Sequence, residues 1–134
     1  MCDRKLSNLK IVHIINIMAT YKESKSLVTR IREAHDIISK YPSRVPIIVE
    51  KSRQAKDIPD IDKTKFLCPD SFTVGQFIYI IRRRLILPPE KALFVFINNI
   101  LPLQSQFMKE IYSQHRDMDG FLYITYTGES TFGL

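Results

Sequence analysis

Apolar positions recur along this 134-residue chain with two different periods, and the changes of period mark out its elements. Leu27, Ile31, Ala34 and Ile38 stand at i, i+4, i+7 and i+11, which predicts one buried stripe of a helix. Ser26 is its expected N-cap, and Pro42 stops it at or before Tyr41. Ile37 lies roughly 90° from the middle of that stripe, beside Glu33 one turn earlier, on a flank suited to a core margin or to an external groove. Arg44–Lys51 (RVPIIVEK) is β-branched and predicts a strand, with Pro46 tolerated near its start or at an edge. A polar connection over Gln54–Thr64 leads to a short alternating strand, Lys65–Pro69 (KFLCP).

Thr73 and Gln76 then form a capping box that opens a helix running to about Leu85. Its stripe is Val74, Phe77, Ile78, Ile81 and Leu85, and Ile80 falls outside it as a second apolar flank. Pro88-Pro89 precedes a strand over Ala92–Asn98 and the turn signal Asn98-Asn99. A short helix over Ser105–Ser113, with Phe107, Met108, Ile111 and Tyr112 as apolar markers, and a turn at Asp117–Gly120 lead to the last strand, Phe121–Tyr126. From residue 44 the order is strand, strand, helix, strand, helix, strand. That order predicts an α+β chain with a ubiquitin-like β-grasp core over 44–127, added N-terminal helices over 21–43, and a tail over 128–134. Residues 1–20 form an extension whose apolar run Leu9–Met18 carries a helical stripe at Ile11, Ile14, Ile15 and Met18. Lys10, His13 and Asn16 interrupt the run and no small-residue cleavage pattern follows, which argues against a secretory signal. Met18 is an alternative start.

Composition narrows the class. Hydrophobic residues at 45% and charged residues at 25% are ordinary for one globular domain. No apolar run reaches the ~18–20 residues of a membrane span. Cys2 and Cys68 are far apart, which argues against a disulfide framework and for a reducing compartment. The net charge of +6 raises nucleic-acid binding as a possibility. Residues 1–100 carry 18 Lys+Arg against 10 Asp+Glu, but only Arg82-Arg83-Arg84 is a cluster, and the aromatic residues fall at core positions. A basic solvated surface, acidic protein partners or anionic headgroups all fit better than a nucleic acid.

Enzymatic chemistry finds no support. His13, His35 and His115 lack metal-ligand spacing, and HExxH, CxxC and a glycine-rich phosphate loop are absent. Neither a metal nor another cofactor is expected. Two features remain. Lys65–Cys68 can be an exposed strand between two helices with apolar flanks, protected or open to an added peptide strand. Two buried peptide side chains at roughly 1.5–3 kcal/mol each, less the cost of association, give an affinity near micromolar, about −8 kcal/mol. The second feature is the ending Phe132-Gly133-Leu134, a weak signal alone and a candidate conjugation site behind a β-grasp body.

Five segments in one order carry a family resemblance: Tyr41–Lys51 (YPSRVPIIVEK), Asp62–Pro69 (DKTKFLCP), Thr73–Phe77 (TVGQF), Phe96–Asn99 (FINN) and Asp119–Tyr126 (DGFLYITY). With Thr131–Gly133 (TFG), they resemble the autophagy ubiquitin-like modifiers, the GABARAP and microtubule-associated light-chain family. The likeness runs from about Tyr21 to Leu134 and leaves out residues 1–20.

The resemblance implies a non-enzymatic modifier. A processing cysteine protease would cut between Gly133 and Leu134, and activating and conjugating enzymes would pass the Gly133 carboxylate to phosphatidylethanolamine. The protein would move from cytoplasm to autophagosome or vesicle membranes and recruit cargo receptors through short acidic-flanked aromatic-x-x-aliphatic motifs. The aromatic residue would enter a pocket of Glu33, Ile37, Pro46, Lys65, Leu67 and Phe121. The aliphatic residue would enter one of Phe66, Cys68, Pro69, Phe72 and Ile80. Arg44, Lys63, Lys65 and Arg84 would meet the acidic flank. Microtubules are a further implied partner, and an unconjugated trafficking or cytoskeletal adaptor using the same groove is the alternative. Cys68 stands where the family usually has valine, Thr64 interrupts a usual lysine run, and His115–Met118 replaces a commonly more acidic segment.

Overall fold

A computed structural model describes residues 19–129; the expectations for residues 1–18, Gly133 and Leu134 fall outside the described residues. Among the described residues eight elements follow in order: α1 (Tyr21–Ser24), α2 (Leu27–Lys40), β1 (Arg44–Lys51), β2 (Lys65–Pro69), α3 (Val74–Leu85), β3 (Phe94–Phe96), α4 (Met108–His115) and β4 (Leu122–Thr127). The sheet order is β2-β1-β4-β3, with β1 and β4 parallel at its centre and both outer pairs antiparallel. This is the expected α+β β-grasp.

Strand alternation divides the apolar residues between two faces. Val45, Ile47 and Val49 of β1, Phe66 and Cys68 of β2, and Leu122, Ile124 and Tyr126 of β4 form the main core with Val74, Phe77, Ile81, Leu85, Met108 and Ile111 of the helices. The opposite face is covered by the N-terminal helices, where Tyr21 and Ala34 bury Ile48 and Phe121. Pro46 lies in a central strand but near its start. Pairing with β4 begins only at Ile47, so no ladder bond needs the missing N–H.

Local signals placed β1, β2 and α3 at their observed bounds, and Thr73 and Gln76 do cap each other's backbone. Four expectations need correction. The stripe of α2 is not buried: Leu27, Ile31 and Ile38 are 38%, 44% and 36% exposed, and Ala34 alone is enclosed. The helix approaches the sheet through that small side chain, close to Gly120, whose φ is +96° and where a Cβ would sit 3.0 Å from the Ala34 Cβ. Strand β3 is three residues long because Asn98 and Asn99 turn left-handed and close an Ile97–Ile100 bridge. Helix α4 starts at Met108 because the backbone oxygens of Gln104 and Gln106 accept the Gly75 and Val74 N–H groups that open α3. Phe107, expected inside the helix, is its N-cap and is exposed. Strand β4 begins one residue later than expected, at Leu122.

Candidate functional site

Strand β2 is an outer strand, so one of its sides has no neighbour in the sheet. The Val49 N–H donates to the Thr64 carbonyl at 2.8 Å, which fixes the phase of the β1–β2 ladder. Antiparallel alternation then gives Phe66 and Cys68 the bonds to β1 and turns the N–H and C=O groups of Lys65 and Leu67 outward. Four peptide groups in one row can accept an added strand. Helix α2 packs on one face of the sheet and α3 on the other, so the edge runs between the two helices.

Six residues bound the α2 side. Lys65 and Leu67 point to this face, and Pro46 is the register partner of Leu67. Glu33 and Ile37 come from adjacent turns of α2, with buried Phe121 below. The Lys65 ammonium stands 2.8 Å from Glu33 Oε2, 5.6 Å from the centre of the Tyr21 ring and 5.9 Å from that of Phe121. This site therefore joins an aromatic floor to a charged rim.

Glu33 collects three donors. Lys25 Nζ reaches Oε1 at 2.7 Å, while Lys65 Nζ and the Tyr21 hydroxyl both donate to Oε2. Desolvation alone would raise its pKa, but the bonds from Lys25, Lys65 and Tyr21 outweigh it and hold the carboxyl at about 2. Burial and the same carboxylate push the Tyr21 hydroxyl well above its ordinary value. A depressed folded pKa contributes stability that is complete above the unfolded value near 4.5 and is lost as pH falls towards 2. The urea midpoint of the protein should accordingly fall more steeply across pH 4.5 to 2 than that of a Glu33→Gln variant. Parallel pH profiles would show that Glu33 contributes nothing in this window.

On the α3 side, Phe72 and Ile80 line one open hollow of about 630 Å³ with Thr73, Gly75, Gln76, Tyr79, Gln104 and Ser105. Phe66, Cys68 and Pro69 are not among its walls. Phe66 and Cys68 are core residues, Phe66 edge-on to Phe77 at 5.8 Å, and they can supply only a floor. Burial pushes the Cys68 thiol up to about 12, so it is a packing group and not a nucleophile.

The four cations are in different states. Lys65 is paired with Glu33, and Arg84 Nε is 2.8 Å from Asp62. Lys63 stands 5.1 Å over the Phe66 ring and Arg44 is 5.8 Å from the Tyr41 ring. Tyr21 and Lys25 went unnoticed in the sequence, although Thr20 and Glu23 form a capping box that signals α1.

Residues 29–133 match the family model described as autophagy protein Atg8, ubiquitin-like. Among curated relatives, autophagy-related protein 8a of Arabidopsis thaliana is 52% identical over 115 residues, which cover 86% of this chain and 93% of that protein. Autophagy-related protein 8 of Saccharomyces cerevisiae is 49% identical over 115 residues, with 86% and 97% covered. The crystal structure of Trypanosoma brucei ATG8 superposes with a TM-score of 0.79 at 43% identity, covering 86% of this chain and 98% of the other.

Proposed function

The chain belongs to the Atg8 family and is an autophagy ubiquitin-like modifier and adaptor, not an enzyme; on that premise we propose that it is a lipid-conjugated docking protein of the GABARAP and light-chain type. Water, in the site of a processing cysteine protease, splits the Gly133–Leu134 peptide bond and releases Leu134. In the activating enzyme the Gly133 carboxylate attacks a nucleoside triphosphate and releases pyrophosphate, and the enzyme's thiol then displaces the nucleoside monophosphate to form a thioester. The thioester passes to a conjugating enzyme, and the amine of phosphatidylethanolamine displaces the thiolate to leave an amide. Two acyl chains hold the product on the autophagosomal membrane, where one chain is marginal. Among the described residues no helix is long and apolar enough to cross a membrane.

The observation that carries the docking half of this reading is the open edge of β2 between two apolar sites. A cargo receptor's aromatic-x-x-aliphatic segment adds as a strand along Lys65–Leu67, its aromatic side chain on the α2 side and its aliphatic one near Phe72 and Ile80. Mass spectrometry of membrane-bound protein from cells with autophagy induced tests the conjugation half. The expected C-terminus is Gly133 carrying phosphatidylethanolamine. Membrane-bound protein that uniformly retains Leu134 would instead support an unconjugated adaptor.

A further inference from the structure

The oxygens of Glu33 are nearly saturated before any ligand arrives. A carboxylate offers about four lone-pair positions. Tyr21 and Lys65 take both on Oε2, and Lys25 takes one on Oε1. The Tyr21 donor is fixed in place. The residue is 9% exposed, its ring stands edge-on to Phe121 at 5.4 Å, and its backbone N–H donates to Glu50 Oε2 at 2.8 Å. Its hydroxyl oxygen stays beside Glu33 for as long as the ring stays in that cluster.

Aromatic anchors differ in what they need from such a site. A buried indole carries an N–H that must find an acceptor, whereas a phenyl ring makes no such demand. Glu33 is the sole acceptor side chain among Glu33, Ile37, Pro46, Lys65, Leu67 and Phe121. An indole is therefore left a single position, on Oε1 beside Lys25, while a phenyl ring needs none.

We propose that Tyr21, assisted by Lys25, is a specificity-determining residue of the aromatic site, occupying Glu33 so that the site favours a phenyl anchor over an indole. This rests on the reading of the groove as a motif-docking site. Two acidic-flanked peptides, identical except for Trp or Phe at the anchor, are titrated by fluorescence anisotropy against the full chain, a Tyr21→Phe variant and a Lys25→Met variant. Tyr21→Phe keeps the ring and frees a lone pair on Oε2. The Trp-to-Phe ratio of dissociation constants should drop about fivefold in this variant, with the Phe peptide changed by less than about twofold. Lys25→Met, a partly exposed change that removes the ammonium from Glu33 Oε1 and from its place 5.1 Å over the Tyr21 ring but keeps the Tyr21 hydroxyl, should shift the ratio the same way and decides the matter if Tyr21→Phe does not fold. If both peptides bind and the ratio is unchanged in the folded variants, Tyr21 and Lys25 have no such role. If neither peptide binds the unaltered chain, the docking reading itself is wrong.

Discussion

Asp119→Ala should lower the stability of the protein by about 3–5 kcal/mol, a drop in melting temperature on the order of 10–20 °C. Asp119 is enclosed completely, with its side chain 0% exposed. Its Oδ1 accepts the Phe121 N–H at 2.8 Å, and its Oδ2 accepts Arg30 Nη1 at 2.7 Å and the Tyr123 hydroxyl. Truncation strands all three donors at once, one of them a cation in α2, and a buried donor left without a partner costs more than the bond contributed. The damage has a location. Arg30–Asp119 and the neighbouring Lys22–Asp117 pair are ties between the N-terminal helices and the turn before β4. Asp119→Asn keeps an acceptor for two of the donors and should fall between the parent and the alanine variant. Thermal melts by circular dichroism within about 3 °C of the parent for Asp119→Ala would show that this carboxylate is not a stabilising link.

The value of Asp119 could not be read from the sequence, and the reason is general. Arg30 lies 89 positions away, and the segment around Asp119 reads locally as a turn, which it is, with the Gly120 N–H donating to the Asp117 carbonyl at 3.0 Å. What was legible was local. A β-branched run set β1, alternation set β2, and the Thr73–Gln76 box set the start of α3. Ile37 and Ile80 stood out because they break a helical stripe, and they face the two sides of the groove. What was not legible depended on other elements. The burial of α2 is decided by Ala34 meeting the opposite face of the sheet, not by its longer side chains. The start of α4 is displaced because residues 104–106 cap another helix. Tyr21 and Lys25 reach Glu33 across 12 and 8 positions, through a four-residue helix too short to show any period.

These distant contacts make the groove one mechanical unit. Tyr21 packs on Phe121 and donates to Glu33, Glu33 holds Lys65, and Lys65 lies on the strand whose outer edge is open. The wall and the edge of the groove are thereby joined through a single carboxylate. On the docking reading, a peptide whose acidic flank attracts Lys65 shares that ammonium with Glu33, the contact that also borders the aromatic site.

Charge reversal at that contact has the largest effect expected on docking. Lys65 is 37% exposed and Glu33 25%, so solvent screens charges at this position, and simple removal by Lys65→Ala should weaken an acidic-flanked peptide only about twofold to fivefold. Lys65→Glu adds two repulsions, one from Glu33 and one from the peptide's own carboxylates, and should weaken binding about 30- to 100-fold, or about 2–3 kcal/mol. Because the lost contacts are at a wetted rim, the gap should shrink as salt rises from 0.1 M, where the screening length is about 10 Å, to 1 M, where it is about 3 Å. A peptide with a neutral flank separates the two repulsions, since it meets only the disturbed Glu33 and should lose less. Equal affinity of Lys65→Glu and parent for the acidic-flanked peptide, measured by titration calorimetry on folded protein, would remove Lys65 from the docking surface and leave the apolar sites to carry recognition alone.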